Sequence, residues 1–417
     1  MAGTSTAATT GTARAVLDPD VPALLLKVGR YPLHHGGLGV VRSLARAGVD
    51  VYAVTEARWT PVAVSRHLHR RLSWPTTGTE EPEELVDGLR ALGRVIGRRA
   101  VLVPTDDEAA VVVAEQADAL ADAFLFPRSV DPGLPRRLAS KQGLFEVCRA
   151  HGIPTPDAEF PTGRDEIERY AAAGAFPVVV KGRDAFGRKR APTVRTSTVV
   201  TSGDELRRLA ADWPDTASVI LQEYIPREDA EDWFSHAFTD RGRSGVTFTG
   251  VKVRSWPPHS GMTTYAYATL NPELAALTER LFAAVGFSGI ADLDWRYDRR
   301  DGRYKLLDFN PRTGAQFRLF EDAAGVDVVR AQHLALTGRP IPAAPFPEGR
   351  RFVVDDFDLA ARVAYRKDPP AALPRRSGIE YGWWALDDPL PVLSLAAGRF
   401  LPAVRRIGAL AGRSRRR

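Results

Sequence analysis

Hydrophobic and polar positions along this chain follow two periods, and the change of period marks its organisation. Apolar-rich runs occur at 23–29 (ALLLKVG), 49–55 (VDVYAVT) and 100–103 (AVLV). Such runs read as strands buried on both faces. Segments of helical period lie between and after them, at 34–48, 83–92 and 108–121. Strands alternating with helices predict a parallel, doubly wound sheet. Further along, strands are predicted at 177–180 and 219–225, and alternating strands fill 235–266 with a tight turn near 240–245. A hairpin follows, with arms at 290–297 and 304–309 and Asp301-Gly302 in its turn. Helices are expected beyond it, at 316–320, at Glu321 and at 326–336. The fold class is α/β.

The hairpin holds the densest chemistry. Side chains alternate along a strand, so Asp292 and Asp294 share a face of the first arm, and Asp308 and Asn310 a face of the second. If Asp298 pairs with Tyr304, closing a five-residue loop, Asp294 lies directly opposite Asp308. A one-residue slip would put them on opposite faces. Leu306, Leu307 and Phe309 mark the second arm as buried, and buried acids without partners are costly. Two carboxylates and an amide oxygen at one spot suit a hard cation such as Mg²⁺. Asp294, Asp308 and Asn310 are therefore metal candidates. Arg312 carries a forked set of donors for phosphate oxygens. The plain alternative is an edge hairpin with solvated acids.

Basic residues recur where anions would be held. Lys181 ends the buried strand 177–180, and a buried lysine is rare unless paired. The loop 182–192 adds Arg183, Arg188, Lys189 and Arg190. Lys141 follows Ser140, a plausible N-cap for a helix to about residue 150, where a lysine opposes the helix dipole unless an anion is near. Lys252 and Arg254 share a strand face by period two. His259 stands in the loop beyond, as an acceptor-site contact or a plain loop residue. Gly36, Gly37 and Gly39 do not form GxGxxG and read as a tight turn with close helix packing. Asp106 and Asp107 lie at a strand's C-terminal end, where ligands of open sheets gather, and read as helix caps.

D-L-D-W at 292–295, followed by L-L-D-F-N-P-R at 306–312, resembles the metal-binding end of the ATP-grasp superfamily. There an acid on one strand precedes an E-x-N-x-R run on the next; Asp308 stands here where Glu is commoner. The other pieces occur in the family's order over about residues 22–339: Lys141 ahead of G-I-P-T-P, V-V-V-K ending in Lys181, Q-E-Y-I at 222–225, and Lys252. The run K-V-R-S-W-P-P-x-x-G from Lys252 resembles that of carboxylate–amine ligases related to the D-aspartate ligase type.

Residues 1–20 read from composition as a disordered leader; the resemblance implies a pre-ATP-grasp α/β domain (21–135) and a two-lobed ATP-grasp domain (136–340), with a small lobe at about 150–225 and a large lobe at about 226–340. A C-terminal extension (341–417) follows. It implies ATP and Mg²⁺ (or Mn²⁺) as cofactors. Lys141 and Lys181 would meet phosphates under a flap at 182–192. Gln222, Glu223, Tyr224 and Ile225 would hold adenine, and one of Glu228, Asp229 and Glu231, with Glu231 preferred, the ribose. Lys252 and Arg312 would offset charge on the transferring phosphoryl group; Arg254 or Arg318 would hold a substrate carboxylate. The implied activity is an ADP-forming ligase joining a small-molecule carboxylate to an amine through an acyl phosphate. A carboxylase-type ATP-grasp enzyme and a non-catalytic nucleotide-binding regulator are the alternatives. The family often forms dimers.

Composition narrows the setting. The chain is 44% hydrophobic and 26% charged, as a soluble globular protein should be. Cys148 stands alone, which excludes an internal disulfide and a cysteine-based metal site. Residues 1–12 lack the apolar run of a signal peptide, and a cytoplasmic location is expected. The net charge of +6 is local: of 57 basic residues, seven arginines lie beyond Pro389 with no acid among them, leaving 50 against 51 acids elsewhere. No nucleic-acid partner is expected. The basic tail reads as solvated or as lying on an anionic membrane surface.

Overall fold

The computed structural model describes residues 14–182, 194, 197–215, 219–259, 261–367 and 378–398. Most of the loop 182–192 and the arginines of the tail lie outside these residues.

The first sheet is five-stranded and parallel, in the order β3-β2-β1-β4-β5. Its strands are β1 (Ala23–Leu26), β2 (Val51–Val54), β3 (Arg70–Leu72), β4 (Ala100–Pro104) and β5 (Phe124–Leu125). The helices of this region are α1 (His35–Ala45), α2 (Pro82–Ile96), α3 (Asp107–Glu115), α4 (Ala117–Leu120) and α5 (Leu134–Ala139). Ala23, Leu25 and Val51 enter one core while Leu24, Leu26 and Tyr52 enter another. Burial on both faces is why these strands read as continuous apolar runs. Gly36 lies inside α1, where a Cβ would come within 2.8 Å of Ala315 Cα, so the glycines serve close packing.

A four-stranded antiparallel sheet follows, ordered β6-β9-β7-β8: β6 (Ala158–Glu159), β7 (Val178–Gly182), β8 (Thr198–Val200) and β9 (Val219–Glu223). α6 (Lys141–Ala150) precedes it, capped by Ser140 Oγ, which accepts from Gly143 N–H. Ile167 and Ala171 of α7 (Arg164–Ala173) and Leu206 of α8 (Gly203–Ala210) pack on Val178, Val180, Val219 and Leu221.

The third sheet has seven strands, ordered β14-β13-β10-β11-β12-β15-β16. They are β10 (Ala230–Asp240), β11 (Arg243–Trp256), β12 (Met262–Ala268), β13 (Gly289–Asp298), β14 (Arg303–Asn310), β15 (Arg351–Val353) and β16 (Ile379–Tyr381). α9 (Pro272–Val285), α10 (Val328–Leu336) and α11 (Asp355–Ala364) complete the chain up to residue 364. One sheet face, with Leu293, Trp295 and Phe309, packs on α5, α6 and α9. The other puts Phe234 and Phe248 against Phe317 and Phe320, in a core that continues into the first sheet. Glu321 is not helical as expected: Asp322 accepts the N–H groups of Ala324 and Val326 and makes a turn.

The β13–β14 hairpin reaches the predicted facing by an unpredicted route. Asp298 pairs with Arg303 rather than Tyr304, around the shorter loop 299–302 with Gly302 at φ 69°. A bulge then leaves Leu307 outside the register and restores Asp294 opposite Asp308. The two shifts cancel where the acids stand.

Beyond residue 340 the chain returns to this sheet. β15 pairs antiparallel with β12, and β16 parallel with β15. Asp358 on α11 takes Arg254 of β11 in a forked pair, Nε–Oδ1 2.9 Å and Nη2–Oδ2 3.0 Å, with both side chains buried. Arg254 also lies over the Tyr265 ring, 4.3 Å from its centroid. Removing one partner of a buried pair strands the other charge. Asp358→Ala is expected to cost about 3–5 kcal/mol in urea unfolding, whereas Asp165→Ala on exposed α7 should be nearly neutral.

Candidate active site

One face of the large sheet collects the predicted chemistry. Asp294 is opposite Asp308, and Asp292 opposite Asn310. Lys252 on β11 places Nζ 3.0 Å from Asp294 Oδ1. Lys141, in the first turn of α6, pairs with the Asp308 carboxylate. Lys181, at the end of β7, donates to Gln222 Oε1 at 2.8 Å. Arg312 donates from Nη2 to Asn310 Oδ1 (2.9 Å) and from Nε to Asp107 Oδ1 (3.2 Å). The acids thus come from one hairpin, and the cations come from both later sheets, α6 and the chain beyond β14.

The electrostatics of this face are those of a site for a cation and an anion together. Burial, with Asp292 and Asp308 nearby, pushes the Asp294 carboxyl up despite Lys252. Burial also works against the Asp308 carboxylate, but Lys141, Lys181 and Arg312 hold it below its usual range. Burial, reinforced by Lys141, lowers the Lys181 ammonium to about 8. Its hydrogen bond goes to a neutral amide, so an anion would stabilise its charge. Among the described residues no group of three or more His, Cys, Asp or Glu side chains is arranged to hold a metal unaided. Two opposed carboxylates and an amide oxygen nonetheless fit Mg²⁺, whose remaining positions go to waters and phosphate oxygens.

Several predicted residues stand elsewhere. Glu231 pairs with Tyr297 across the ladder, on the face of Leu293 and Trp295 and away from Asp294. It accepts from Trp233 Nε1 and bonds Arg299 at 2.7 Å. Its neighbour Asp232 is the acid on the Asp294 face, 2.7 Å from Arg296. Arg254 is held by Asp358, not aimed at a ligand. Arg318 is buried against Asp327 (2.8 Å) and Glu321 (3.1 Å), which leaves it no substrate carboxylate to hold. In the 222–225 segment, Glu223 N–H already donates to Asp157 O and Tyr224 N–H to Pro177 O. The Glu223 carboxylate pairs with Arg300 and Lys305. Ile225 is buried beside them.

Asp106 caps α3 through Ala109 N–H and also accepts from Val28 and Gly29; burial pushes it up to about 6. Asp107 is not the expected cap: it is the first residue of α3, and its carboxylate pairs with Arg312 at 3.2 Å. His259 has φ 67° and stacks edge-on against Tyr365 at 4.5 Å. A fully buried couple, His236 Nε2 and Asp292 Oδ1 at 2.9 Å, was missed. It lies under Gly314, where a Cβ would collide with both. The available signal was parity, which puts His236 on the same face as Phe234 and Asp232.

No family model matches the sequence. The D-aspartate ligase of Enterococcus faecium (strain Aus0004) is 23% identical over 231 residues, 52% of this chain and 54% of that enzyme. The chain thus spans about half the length of that relative. Among solved structures, N5-carboxyaminoimidazole synthetase from Staphylococcus aureus superposes with a TM-score of 0.59 at 12% identity, over 88% of this chain and 93% of that one. L-amino acid ligase from Bacillus licheniformis gives 0.54 at 16%, over 76% and 74%. The biotin carboxylase domain of Hydrogenobacter thermophilus 2-oxoglutarate carboxylase, in complex with MgADP, ADP and bicarbonate, gives 0.55 at 16%, over 79% and 73%. The chain has the ATP-grasp fold. In ATP-grasp terms, the acids lie on the large sheet, while Lys181 reaches them from the small one.

Because the Lys181 cation is present below about pH 8 and lost above it, affinity for inorganic tripolyphosphate should fall as pH rises through that value. Isothermal titration from about pH 6.5 to about 9.5 should show the fall in the native protein and a weaker, flatter profile in Lys181→Met.

Proposed function

We propose that the chain is an ATP-dependent, ADP-forming ligase that joins a carboxylate to an amine through an acyl phosphate. The observation that carries this is the facing of Asp294 and Asp308 beneath Lys141, Lys181, Lys252 and Arg312. Likeness to a D-aspartate ligase and an L-amino acid ligase supports the bond type.

In this reading Asp294, Asp308 and Asn310 hold Mg²⁺. When bound, the metal would supply Lewis-acid charge to the transferring group. Lys141 leaves Asp308 and joins Lys181 in holding the phosphates. Gln222 orients Lys181, and the 222–225 segment lies along adenine. The ribose hydroxyls meet Asp232 rather than Glu231. A substrate carboxylate oxygen attacks the terminal phosphorus, and the bond from that phosphorus to the ADP oxygen breaks. Lys252 and Arg312 offset the charge that builds on the equatorial oxygens; the catalysis is positioning and electrostatics. The amine then attacks the acyl carbon, phosphate leaves, and the amine loses a proton. None of the described side chains needs to form a covalent bond.

Likeness to carboxylases favours one variant of this chemistry, with bicarbonate as the acid phosphorylated. One assay separates the two. ADP release would be followed with Mg-ATP and pooled amino acids, with and without added bicarbonate. The ligase reading expects ADP that needs both an acid and an amine and is indifferent to bicarbonate. Asp308→Asn should lower turnover by about a hundredfold or more while leaving the fold intact by circular dichroism. Turnover at the native rate in that variant would remove the basis of the proposal.

A further inference from the structure

Beneath the opposed acids lies a layer to which the proposed chemistry gives no part. His236 on β10 and Asp292 on β13 are paired directly across the ladder, and both are buried, His236 completely. His236 Nε2 stands 2.9 Å from Asp292 Oδ1. The imidazole is clamped: Phe234 meets it edge-on at 5.5 Å and Phe320 lies at 5.2 Å, centre to centre. Gly314 closes on the same couple, where a Cβ would come within 2.4 Å of both His236 Cε1 and Asp292 Oδ2.

Two groups of the candidate site converge on Asp292. Its carbonyl accepts Asn310 Nδ2 at 3.1 Å, and the Asn310 oxygen in turn accepts Arg312 Nη2 at 2.9 Å. Its carboxylate Oδ2 lies 3.7 Å from Arg312 Nη1. Asn310 is a metal candidate and Arg312 a phosphate candidate, so a single residue anchors both. Asp107 holds one edge of the Arg312 guanidinium, through Nε at 3.2 Å, and Asp292 faces another. Packing alone does not account for an acid and an imidazole here, because buried ion pairs replaced by apolar residues of like volume are often neutral or stabilising.

We infer that His236 is a positioning residue for the ligase reaction: held by Phe234, Phe320 and Gly314, it fixes Asp292, and through Asp292 the Asn310 amide and the Arg312 fork. His236 is sealed from the ligand face, so it acts only through Asp292. The inference rests on the ligase reading for the reaction it serves, but the orientation of Asn310 and Arg312 bears on any Mg-ATP bound at this face. Partners that orient metal-binding groups from behind are worth about ten- to a hundredfold in metal affinity or activity.

The test is calorimetric titration of ATP into the full chain, once with Mg²⁺ and once with EDTA, beside thermal melting and ADP release. In His236→Leu the gain in ATP affinity that Mg²⁺ gives should shrink about tenfold, while affinity in EDTA stays within about twofold. The Mg²⁺ needed for half-maximal ADP release should rise about tenfold. His236→Gln, whose amide can still donate to Asp292, should recover most of the gain. Gly314→Ala removes no polar group yet pushes on the couple, so it should shrink the gain as well and carries the test if His236→Leu does not fold. His333, another buried imidazole, lies 2.9 Å from the Val21 carbonyl; His333→Gln should lower the thermal midpoint and leave the gain from Mg²⁺ as it is. Two results would overturn the inference: a gain within about twofold of native in folded His236→Leu and Gly314→Ala, or a loss that falls equally on ATP with Mg²⁺ and ATP with EDTA. Native protein that binds Mg-ATP but releases no ADP with any acid and amine would sink the ligase reading alone, and the titration still decides the role of His236. Native protein whose ATP affinity gains nothing from Mg²⁺ would overturn both.

Discussion

Two carboxylates facing each other on a largely buried sheet are the constraint on which the rest of this molecule depends. Asp294 and Asp308 repel, and burial removes the water that would screen them. The fold answers with cations brought from separate places: Lys252 from the adjoining strand, Lys141 from a helix start, Lys181 from the small sheet. Each reaches the face from a different element, so the charge balance is also a tertiary contact. A segment that moved away would leave an acid without its lysine.

The same constraint explains the lower layer. Asp292 points to the same face, with His236 Nε2 2.9 Å from its Oδ1 below and Arg312 3.7 Å from its Oδ2 beside it. Asn310 Nδ2 is tied to the Asp292 carbonyl at 3.1 Å. The amide oxygen is left to accept from Arg312 Nη2 at 2.9 Å. Packing around Gly314 seals this layer, and the polar groups above it are the ones open to a ligand.

Much of this was legible because alternation is a property of local backbone. Asp292, Asp294 and Asp308 could be assigned to a face without tertiary knowledge, as could the doubly buried strands β1, β2 and β4. The register was harder. The expected facing is met through a tighter turn and a bulge at Leu307, two shifts that leave no mark in the residue pattern. Glu231 and Asp232 are consecutive acids, so only the true strand phase decides which one faces the site. Arg254 could not be placed, because its partner Asp358 lies 104 residues away. β15 and β16 are three residues each, too short to carry a period.

The late return of β15 and β16 to the large sheet has a consequence during synthesis. β12 ends at Ala268, yet the strand that covers its edge begins at Arg351. While the intervening residues emerge from the ribosome, that edge offers unpaired N–H and C=O groups to any neighbouring chain. The Arg42–Asp388 contact spans 346 residues and forms later still. The nascent protein therefore passes through a long interval with an open, adhesive sheet, in which shielding by a chaperone would matter most.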